Sequence, residues 1–187
     1  MGEPAGLRRL EPDGLGDHLD RLYRAAWALC GSPHEAEDLV QDTYARVLAK
    51  PRLLRSDDDV GYLLSVLRNT FVSGRRKAAR RPVTAAMAEG YEPVDPGTAT
   101  RPEEAASAHE VFAHIAALPP DFRDALVAVD VAGLSYGEAA KLLHCKEATI
   151  TSRLFRARAQ VARGMDPRPE APRRRRPLGA VGGRRGA

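Results

Sequence analysis

The stretch "LSYGEAAKLLHCKEATITSRLFRARAQV", residues 134–161, contains two short helical patterns separated by a three-residue turn. Ser135 and Glu138 have the spacing of a capping box, which marks the start of the first helix. In the second helix, apolar residues recur at spacings of three and four, which predicts one buried stripe. The stripe consists of Ile150, Leu154, Ala157 and Val161. Two short helices joined by such a turn predict a helix-turn-helix.

Another face of the second helix carries hydroxyl and guanidinium groups. Its members are Thr149, Ser152, Arg153 and Arg156. A helix fits the major groove of DNA, where arginine reaches guanine and serine or threonine reaches bases or phosphates. We therefore expect this face to read DNA, with a solvated surface helix as the alternative for a charged face considered alone. Three further cations are expected either to contact phosphates or to form a solvated rim: Lys146, Arg158 and Arg163.

The composition of the chain fits a small globular protein with a core of Leu, Val and Ala. Its 187 residues are 43% hydrophobic and 5% aromatic, enough for one domain or two small ones. No apolar run reaches the length of about 18 residues that a transmembrane helix needs, and no apolar segment near the N-terminus predicts a signal peptide. We therefore expect a cytoplasmic protein that does not insert into membranes.

The side chains that could carry catalysis or hold a metal form no recognisable constellation. Cys30 and Cys145 lack metal-ligand spacing, and we expect both to be small buried apolar residues. The histidines have no metal-ligand spacing with acids, and no glycine-rich phosphate loop follows a strand. The sequence therefore predicts no enzymatic activity, no catalytic residues, no metal and no cofactor.

Charge is distributed unevenly along the chain, although the formal net charge is only +4. Residues 68–81 include six basic side chains and no acidic one. Residues 84–110 are mainly acidic, and residues 146–163 are again basic. Two basic helical regions separated by an acidic segment predict a polyanion that is contacted at two places.

Almost every periodic stretch has helical spacing and no strand pattern stands out, which predicts an all-α protein. We expect two small helical domains joined by a flexible, proline- and glycine-rich linker, the C-terminal one a helix-turn-helix. Before the helix-turn-helix, helices are expected at about 103–118 and 121–132, the latter started by Asp121 and ended by Gly133. The predicted segments are a flexible N-terminus at 1–14, a first domain at 15–81, an acidic linker at 82–102, the helix-turn-helix domain at 103–165 and a disordered basic tail at 166–187.

The first domain is expected to contain three helices. They cover about 16–29, 33–50 and 60–81, and the second begins with Ser32 and Glu35 in capping-box spacing. The residues of the second helix expected to face inward are Leu39, Val40, Val47 and Leu48.

The C-terminal half of the third helix combines an amide with many cations. Asn69 lies beside the apolar stripe of this helix. The cations that extend the same helix are Arg75, Arg76, Lys77, Arg80 and Arg81. An asparagine can hydrogen-bond a base edge while cations follow the backbone, so we expect this helix end to bind duplex or melted DNA.

With these motifs the chain resembles an extracytoplasmic-function sigma factor, a member of the sigma-70 superfamily that directs RNA polymerase to promoters. The segments "AEDLVQDTYARVL" (36–48) and "YLLSVLRNTFVSGRR" (62–76) are similar to region two of that family. The segment 118–161 is similar to its region four. The two motifs occur in this order across a proline-rich linker, and the resemblance covers about 15–165.

The resemblance implies that the partners are core RNA polymerase and promoter DNA. The polymerase would be bound at its flap and at the clamp helices of its largest subunit, the latter by Asp38, Gln41 and Asp42. Residues implied in binding the minus-ten element are Arg68, Asn69, Ser73, Arg75, Arg76 and Arg80, with Asn69 capturing a flipped base. Residues implied in reading the minus-thirty-five element are Thr149, Ser152, Arg153, Phe155 and Arg156. The linker would thread channels of the polymerase, and an anti-sigma factor is a further candidate partner.

The chain departs from the usual family pattern at six positions. These are Tyr62 and Ser73, where Trp and Asp are common, His144, Lys146 and Ala148, where Gly, Pro and Gly are usual, and Thr151, where a cation is common. His144 is expected to need the left-handed backbone conformation that glycine adopts easily. Thr151 removes one cation, which changes the expected promoter sequence but not the role of the helix.

Two other functions fit part of the sequence. An ordinary helix-turn-helix regulator would explain residues 134–161 but would leave "AEDLVQDTYARVL" and the basic helix around Asn69 without a purpose. A helical adaptor without any DNA role would explain neither basic face.

Overall fold

The structure, a computed structural model, contains seven α-helices in the part of the chain that it describes, which confirms the all-α fold class. The described residues are 8–9, 12–49, 53–54, 59–80 and 102–165. The helices are α1 Leu19–Cys30, α2 Pro33–Ala49, α3 Asp59–Arg80, α4 Pro102–Ala116, α5 Pro120–Leu126, α6 Tyr136–Leu142 and α7 Glu147–Met165. A 3-10 helix, Pro12–His18, precedes α1, and a π-helical turn, Val127–Val131, continues α5.

A two-residue antiparallel pairing is the one strand contact among the described residues. The strand β1, Arg8–Arg9, pairs with β2, Leu53–Leu54. A pairing this short leaves no alternating pattern in the sequence, which explains why no strand was expected. The segment 1–14, predicted to be flexible, thus includes a paired strand and the beginning of the 3-10 helix.

The helix starts of the N-terminal half follow local hydrogen bonding. The first helix begins at Leu19, three residues later than expected, because the preceding residues form the 3-10 helix. It ends at Cys30 and is capped by Gly31, which has a φ of 81° and donates its N–H to the Trp27 carbonyl at 2.7 Å. The expected cap of α2 is present, since the Glu35 N–H donates to Ser32 Oγ at 3.5 Å.

The buried stripe of α2 differs from the expected one at a single position. Leu39, Val40 and Val47 are buried as expected, whereas Leu48 is 50% exposed. The expectation for Leu48 was wrong because the fully buried Thr43 lies in the stripe, which then continues to Val47. The Thr43 hydroxyl donates to the Leu39 carbonyl at 2.7 Å, so this polar group is satisfied within the helix.

The helix α3 changes character along its length. Its first three turns bury Val60, Leu63, Leu64 and Leu67, which anchor it in the core. From Ser73 to the end of the helix every residue is exposed. The N-terminal part of this helix is therefore apolar and buried, and its C-terminal end is basic and exposed, as the sequence predicts.

The helix α5 starts one residue earlier than predicted. Pro119 stands at the N-cap and Pro120 at the first helical position, where a missing N–H leaves no hydrogen bond unmade. The start assigned to Asp121 was therefore wrong, because the prolines begin the helix instead. Gly133 ends this segment as predicted, with a φ of 72°.

The helices before the predicted linker, α1 to α3, and those after it, α4 to α7, form two units that pack against each other. The helix α1 contacts α2 and α3, and it also contacts α4 and the π-helical turn. At the centre of this contact the Trp27 ring lies 4.7 Å from the Phe112 ring. One continuous apolar core therefore runs through both halves of the described chain. The predicted linker and the predicted basic tail lie outside the described residues, except that Pro102 begins α4.

Candidate nucleic-acid interface

The helix-turn-helix begins with the capping box that the sequence predicts. The Glu138 N–H donates to Ser135 Oγ at 3.3 Å, and the Ser135 N–H donates to Glu138 Oε2 at 2.7 Å. Hydrogen bonding of the Ser135 hydroxyl and of the Ser135 N–H to the carboxylate stabilises its charged form and lowers the pKa of Glu138. The start of α6 is therefore fixed by two reciprocal bonds.

The turn between α6 and α7 contains the strained residue that the sequence predicts. His144 has a φ of 52°, and among the described residues it is the one non-glycine with a positive φ. The turn is closed by the Cys145 N–H, which donates to the Ala140 carbonyl at 3.0 Å. Histidine tolerates this conformation at some energetic cost, and the turn sets the angle at which α7 leaves α6.

The inner side of α7 is buried almost completely. Ile150 and Ala157 have no exposed surface, and Leu154 is 1% exposed. Val161 is partly buried against the same core. The expected stripe is confirmed, and it fixes which side of α7 faces outward.

The outer side of α7 presents an aromatic ring next to a cation. Phe155 is 76% exposed, and Ser152 and Arg156 are exposed beside it. Thr149 is half-buried, and its carbonyl accepts a hydrogen bond from Ser152 Oγ at 2.9 Å. An exposed ring contributes nothing to the core, whereas it can contact a thymine methyl group in the major groove.

Two other arginines of α7 are held by acids of preceding segments. Arg153 Nη2 donates to Asp121 Oδ2 at 2.7 Å, and its side chain is only 22% exposed. Arg158 donates to both carboxylate oxygens of Asp130, at 2.9 and 2.7 Å. The hydrogen bonds with Asp130 raise the pKa of Arg158 above its usual range. Neither pair was predicted from the sequence, although both acids lie in the segment 121–132 that was expected to be a helix.

The basic end of α3 presents one continuous polar stripe. Its members are Asn69, Ser73, Arg76 and Arg80, all exposed and spaced four, three and four residues apart. This spacing places them on one face of the helix. Arg75 is also exposed, and its guanidinium lies 5.9 Å from the centroid of the Phe71 ring. Five of the six residues predicted for minus-ten DNA are therefore accessible.

The sixth residue predicted to bind minus-ten DNA, Arg68, forms an ion pair with a residue of α5. Its Nε donates to Asp124 Oδ2 of α5 at 2.7 Å. The Asp124 side chain is 5% exposed and that of Arg68 is 33% exposed. Nothing in the local sequence indicated this pair, because the two residues are separated by 56 positions.

The acidic face predicted to bind polymerase lies on α2. Asp38, Gln41 and Asp42 are exposed, and their spacing of three and one places them on one side of the helix. Leu39 and Val40 point into the core from the same helix. The three polar residues therefore form one accessible surface.

The two cysteines are half-buried, not fully buried as expected. Burial raises the pKa of the Cys30 thiol to about 12. Cys145 lies beside α7, where Arg153 Nη1 is 3.9 Å from its Sγ. Within the described ranges, no three His, Cys, Asp or Glu side chains group in a way that could hold a metal ion. No helix in those ranges is both long and apolar enough to cross a membrane.

Two family models match the chain over the regions described above. The model for sigma-70 region 2 matches residues 15–81, and the model for sigma-70 region 4 matches residues 110–161. The first match contains α1 to α3, and the second contains the helix-turn-helix.

Similar proteins carry the same family description. The chain is 35% identical over 147 residues to the ECF RNA polymerase sigma factor SigE of Mycolicibacterium smegmatis, covering 77% of this chain but only 57% of SigE. It is 33% identical over 148 residues to the ECF RNA polymerase sigma factor EcfG of Rhodopseudomonas palustris, covering 75% of this chain and 77% of EcfG.

Solved structures agree with these relatives. The sigma factor RpoE of Bartonella quintana, solved in complex with the anti-sigma factor NepR, aligns with a TM-score of 0.58 and 26% identity, covering 82% of this chain and 97% of that chain. The extracytoplasmic function sigma factor SigJ of Mycobacterium tuberculosis aligns with a TM-score of 0.53 and 25% identity, covering 84% of this chain and 54% of that one. The chain belongs to the extracytoplasmic-function sigma factors of the sigma-70 family.

Proposed function

We propose that this chain binds core RNA polymerase, recognises a promoter with two elements and promotes melting of the downstream element. Its family supports this role, and both of its DNA-facing helices expose the side chains that the role needs. The single observation that carries most weight is the two-sidedness of α7. Leu154 is 1% exposed, while the adjacent Phe155 is 76% exposed. This contrast is expected of a helix that packs one side into the core and leaves the other side accessible to a partner.

The minus-thirty-five element is read by the outer side of α7. Arg156 is exposed and reaches guanine acceptors, while Phe155 contacts a thymine methyl group. Ser152 and Thr149 add hydroxyl contacts to bases or phosphates. Arg153 contributes from a position fixed by Asp121, so it has less freedom than Arg156.

The minus-ten element is bound by the basic end of α3. Asn69 holds an unstacked base, and Ser73, Arg75, Arg76 and Arg80 contact the strand around it. Arg68 joins them when it is not bonded to Asp124. Melting proceeds by differential binding, because a base held by α3 is accessible only after it leaves the duplex, and this binding offsets an unpairing cost of a few kcal/mol.

Core polymerase is bound through the acidic surface of Asp38, Gln41 and Asp42 on α2, which contacts the clamp helices of the largest subunit, and region four contacts the flap. The chain itself carries out no covalent chemistry, since its part is binding and positioning. It acts in the cytoplasm, where core polymerase and DNA are found. A regulating anti-sigma factor is a further partner, supported by the similarity to RpoE, which was solved with NepR.

Run-off transcription with purified core polymerase tests the proposal. Transcripts that rise when the chain is overproduced in its host supply the promoter templates. Adding the chain to core polymerase is expected to give initiation at one position on these templates, and templates with a scrambled minus-thirty-five element serve as the control. Footprints on the DNA without any initiation would favour an ordinary helix-turn-helix regulator instead.

A further inference from the structure

Two arginine–aspartate pairs hold α7 on opposite flanks of its buried stripe. Arg153 Nη2 donates to Asp121 Oδ2 at 2.7 Å, and Arg158 donates to both carboxylate oxygens of Asp130 at 2.9 and 2.7 Å. The spacing of the two arginines in sequence corresponds to about 140° around the helix and about 7.5 Å along its axis. Because the two pairs differ in both coordinates, together they restrict the rotation of α7 about its axis and its tilt.

Both acids come from one continuous segment that packs against α7. Asp121 lies in the first turn of α5, and Asp130 lies in the π-helical turn that continues it. In a regular α-helix, their spacing in sequence would place the two side chains about 180° apart. In the π-helical turn the Ala132 N–H donates to the Val127 carbonyl at 2.8 Å, and this wider turn adds less rotation per residue. The π-helical turn therefore reduces the angle between the two acids, and both of them reach α7.

Apolar packing alone fixes the orientation of α7 less well than these pairs do. Ile150, Leu154 and Ala157 bury the inner side of the helix, but burial of apolar surface is non-directional. Charge-assisted hydrogen bonds are directional, and a bidentate pair of guanidinium and carboxylate adds a defined geometry. Since the outer side moves with the helix, the two pairs determine where Phe155 and Arg156 lie.

The exposure of the pairs indicates that their main effect is not on stability. Arg158 is 52% exposed and Asp121 is 68% exposed. Ion pairs that are open to water add little to the free energy of unfolding. Arg158 was expected either to contact phosphates or to form a solvated rim, yet it directs two of its N–H groups at an acid of its own chain. We therefore expect the pairs to affect the orientation of α7 more than its folding.

We propose that Asp121 and Asp130 are positioning residues for base reading by α7, acting through Arg153 and Arg158. The proposal rests on the DNA-reading role proposed for α7. Both carboxylates are negatively charged, so they oppose the approach of phosphates and weaken binding to any DNA sequence. Their favourable effect is confined to base contacts, which require the outer side of α7 to lie in register with base edges. Removing either acid is therefore expected to affect the two kinds of binding in opposite directions.

The affinity of the full chain for two DNA duplexes tests the proposal. One duplex is recovered by selecting random duplex DNA on the wild-type chain, and the other has the same base composition in scrambled order. Asp130→Asn is expected to bind the selected duplex about fivefold more weakly, because base contacts are lost. It is expected to bind the scrambled duplex about twofold more tightly, because one negative charge is removed. Fluorescence anisotropy at one fixed salt concentration measures both affinities.

Two further variants separate orientation from charge. Arg158→Lys keeps the cation but cannot form the bidentate pair with Asp130. This variant is expected to lose affinity for the selected duplex and to keep wild-type affinity for the scrambled one. Asp121→Asn repeats the test on the other flank of α7, with the same opposite effects expected. It also keeps the proposal testable if circular dichroism shows that Asp130→Asn does not fold.

Asp20→Asn is the matched control, since it removes one exposed negative charge from α1. It is expected to change both affinities by the same small factor. If the folded Asp121→Asn and Asp130→Asn variants behaved like Asp20→Asn, the two acids would act only as surface charges and the proposal would be overturned. A selection that recovers no preferred sequence would also overturn it, because α7 would then read no bases. The selection uses the chain without polymerase, so a failure of run-off transcription would remove the proposed function and leave this result intact.

Discussion

The two helices proposed to bind DNA, α3 and α7, differ in how their cations are held. In α7, Arg153 and Arg158 are bonded to acids of their own unit, and Arg156 is exposed between them. In α3, Arg68 is bonded to an acid of the other unit, and the cations that follow it are exposed. The two bonded arginines of α7 are therefore held within their own unit, whereas Arg68 of α3 is held by the other unit.

This difference matches two kinds of DNA contact. Side chains held in fixed positions suit the reading of base edges in a duplex, where geometry decides specificity. Exposed cations around an asparagine suit a melted strand, whose backbone and unstacked bases have no single fixed geometry. The comparison therefore agrees with the roles proposed above, duplex recognition for α7 and strand capture for α3.

The largest effect is expected from removing a buried residue beneath a surface that is proposed to face DNA. Leu154→Ala in α7 should lower the free energy of unfolding by about 2–5 kcal/mol, because it leaves a cavity in a site that is 1% exposed. Leu67→Ala in α3, at a position also 1% exposed, should cost a similar amount. Urea unfolding followed by circular dichroism measures both.

The adjacent exposed residue provides the control for this prediction. Phe155→Ala should change the unfolding free energy by no more than about 0.5 kcal/mol, while weakening promoter binding. If Leu154→Ala destabilised the protein no more than Phe155→Ala does, the assignment of inner and outer sides of α7 would be wrong.

A smaller effect is expected from replacing Arg156 or Arg153 of α7, and the two variants should differ in stability. Arg156→Ala should weaken promoter binding by about 1–3 kcal/mol through loss of a base contact, with no effect on stability. Arg153→Ala should weaken binding too, but it should also lower the melting temperature slightly, because Asp121 loses its partner. Fluorescence anisotropy with promoter DNA and thermal unfolding of the same variants check this. Unchanged affinity of both variants for promoter DNA would contradict the proposal that α7 reads bases.

The smallest effect concerns the cap that positions α6. Ser135→Ala should cost about 1 kcal/mol of unfolding free energy, since the Glu138 N–H loses its acceptor. Ser135→Asp keeps an acceptor at this position and should restore most of the loss. Equal stability of Ser135→Ala and the wild type would show that the capping box does not hold this helix.

Local patterns in the sequence predicted the features that local physics determines. The capping box at Ser135, the left-handed His144 and the buried stripe through Leu154 were all expected and are all present. Each depends on residues within one or two helical turns, so spacing alone identifies it.

Features that depend on distant residues could not be read from spacing. The pairs Arg68–Asp124 and Arg153–Asp121 join positions 56 and 32 residues apart, and no periodicity marks either one. Leu48 was wrongly predicted to be buried, because the buried side of α2 includes the polar residue Thr43 instead. The Thr43 hydroxyl donates to the Leu39 carbonyl of the same helix, so its burial leaves no hydrogen bond unmade. The sequence therefore predicted the buried and exposed sides of α7 and the exposed basic end of α3, but not the contacts that hold their arginines.

Permanganate reactivity of thymines in the minus-ten element tests the division of roles between α3 and α7 most directly. Core polymerase carrying the Asn69→Ala chain should bind the promoter nearly as well as polymerase carrying the wild-type chain, yet leave these thymines largely unreactive, because the unstacked base has lost its amide partner. Polymerase carrying the Arg156→Ala chain should lose binding, but its bound fraction should show wild-type reactivity. An Asn69→Ala chain that reduces binding and melting equally would contradict the assignment of strand capture to α3.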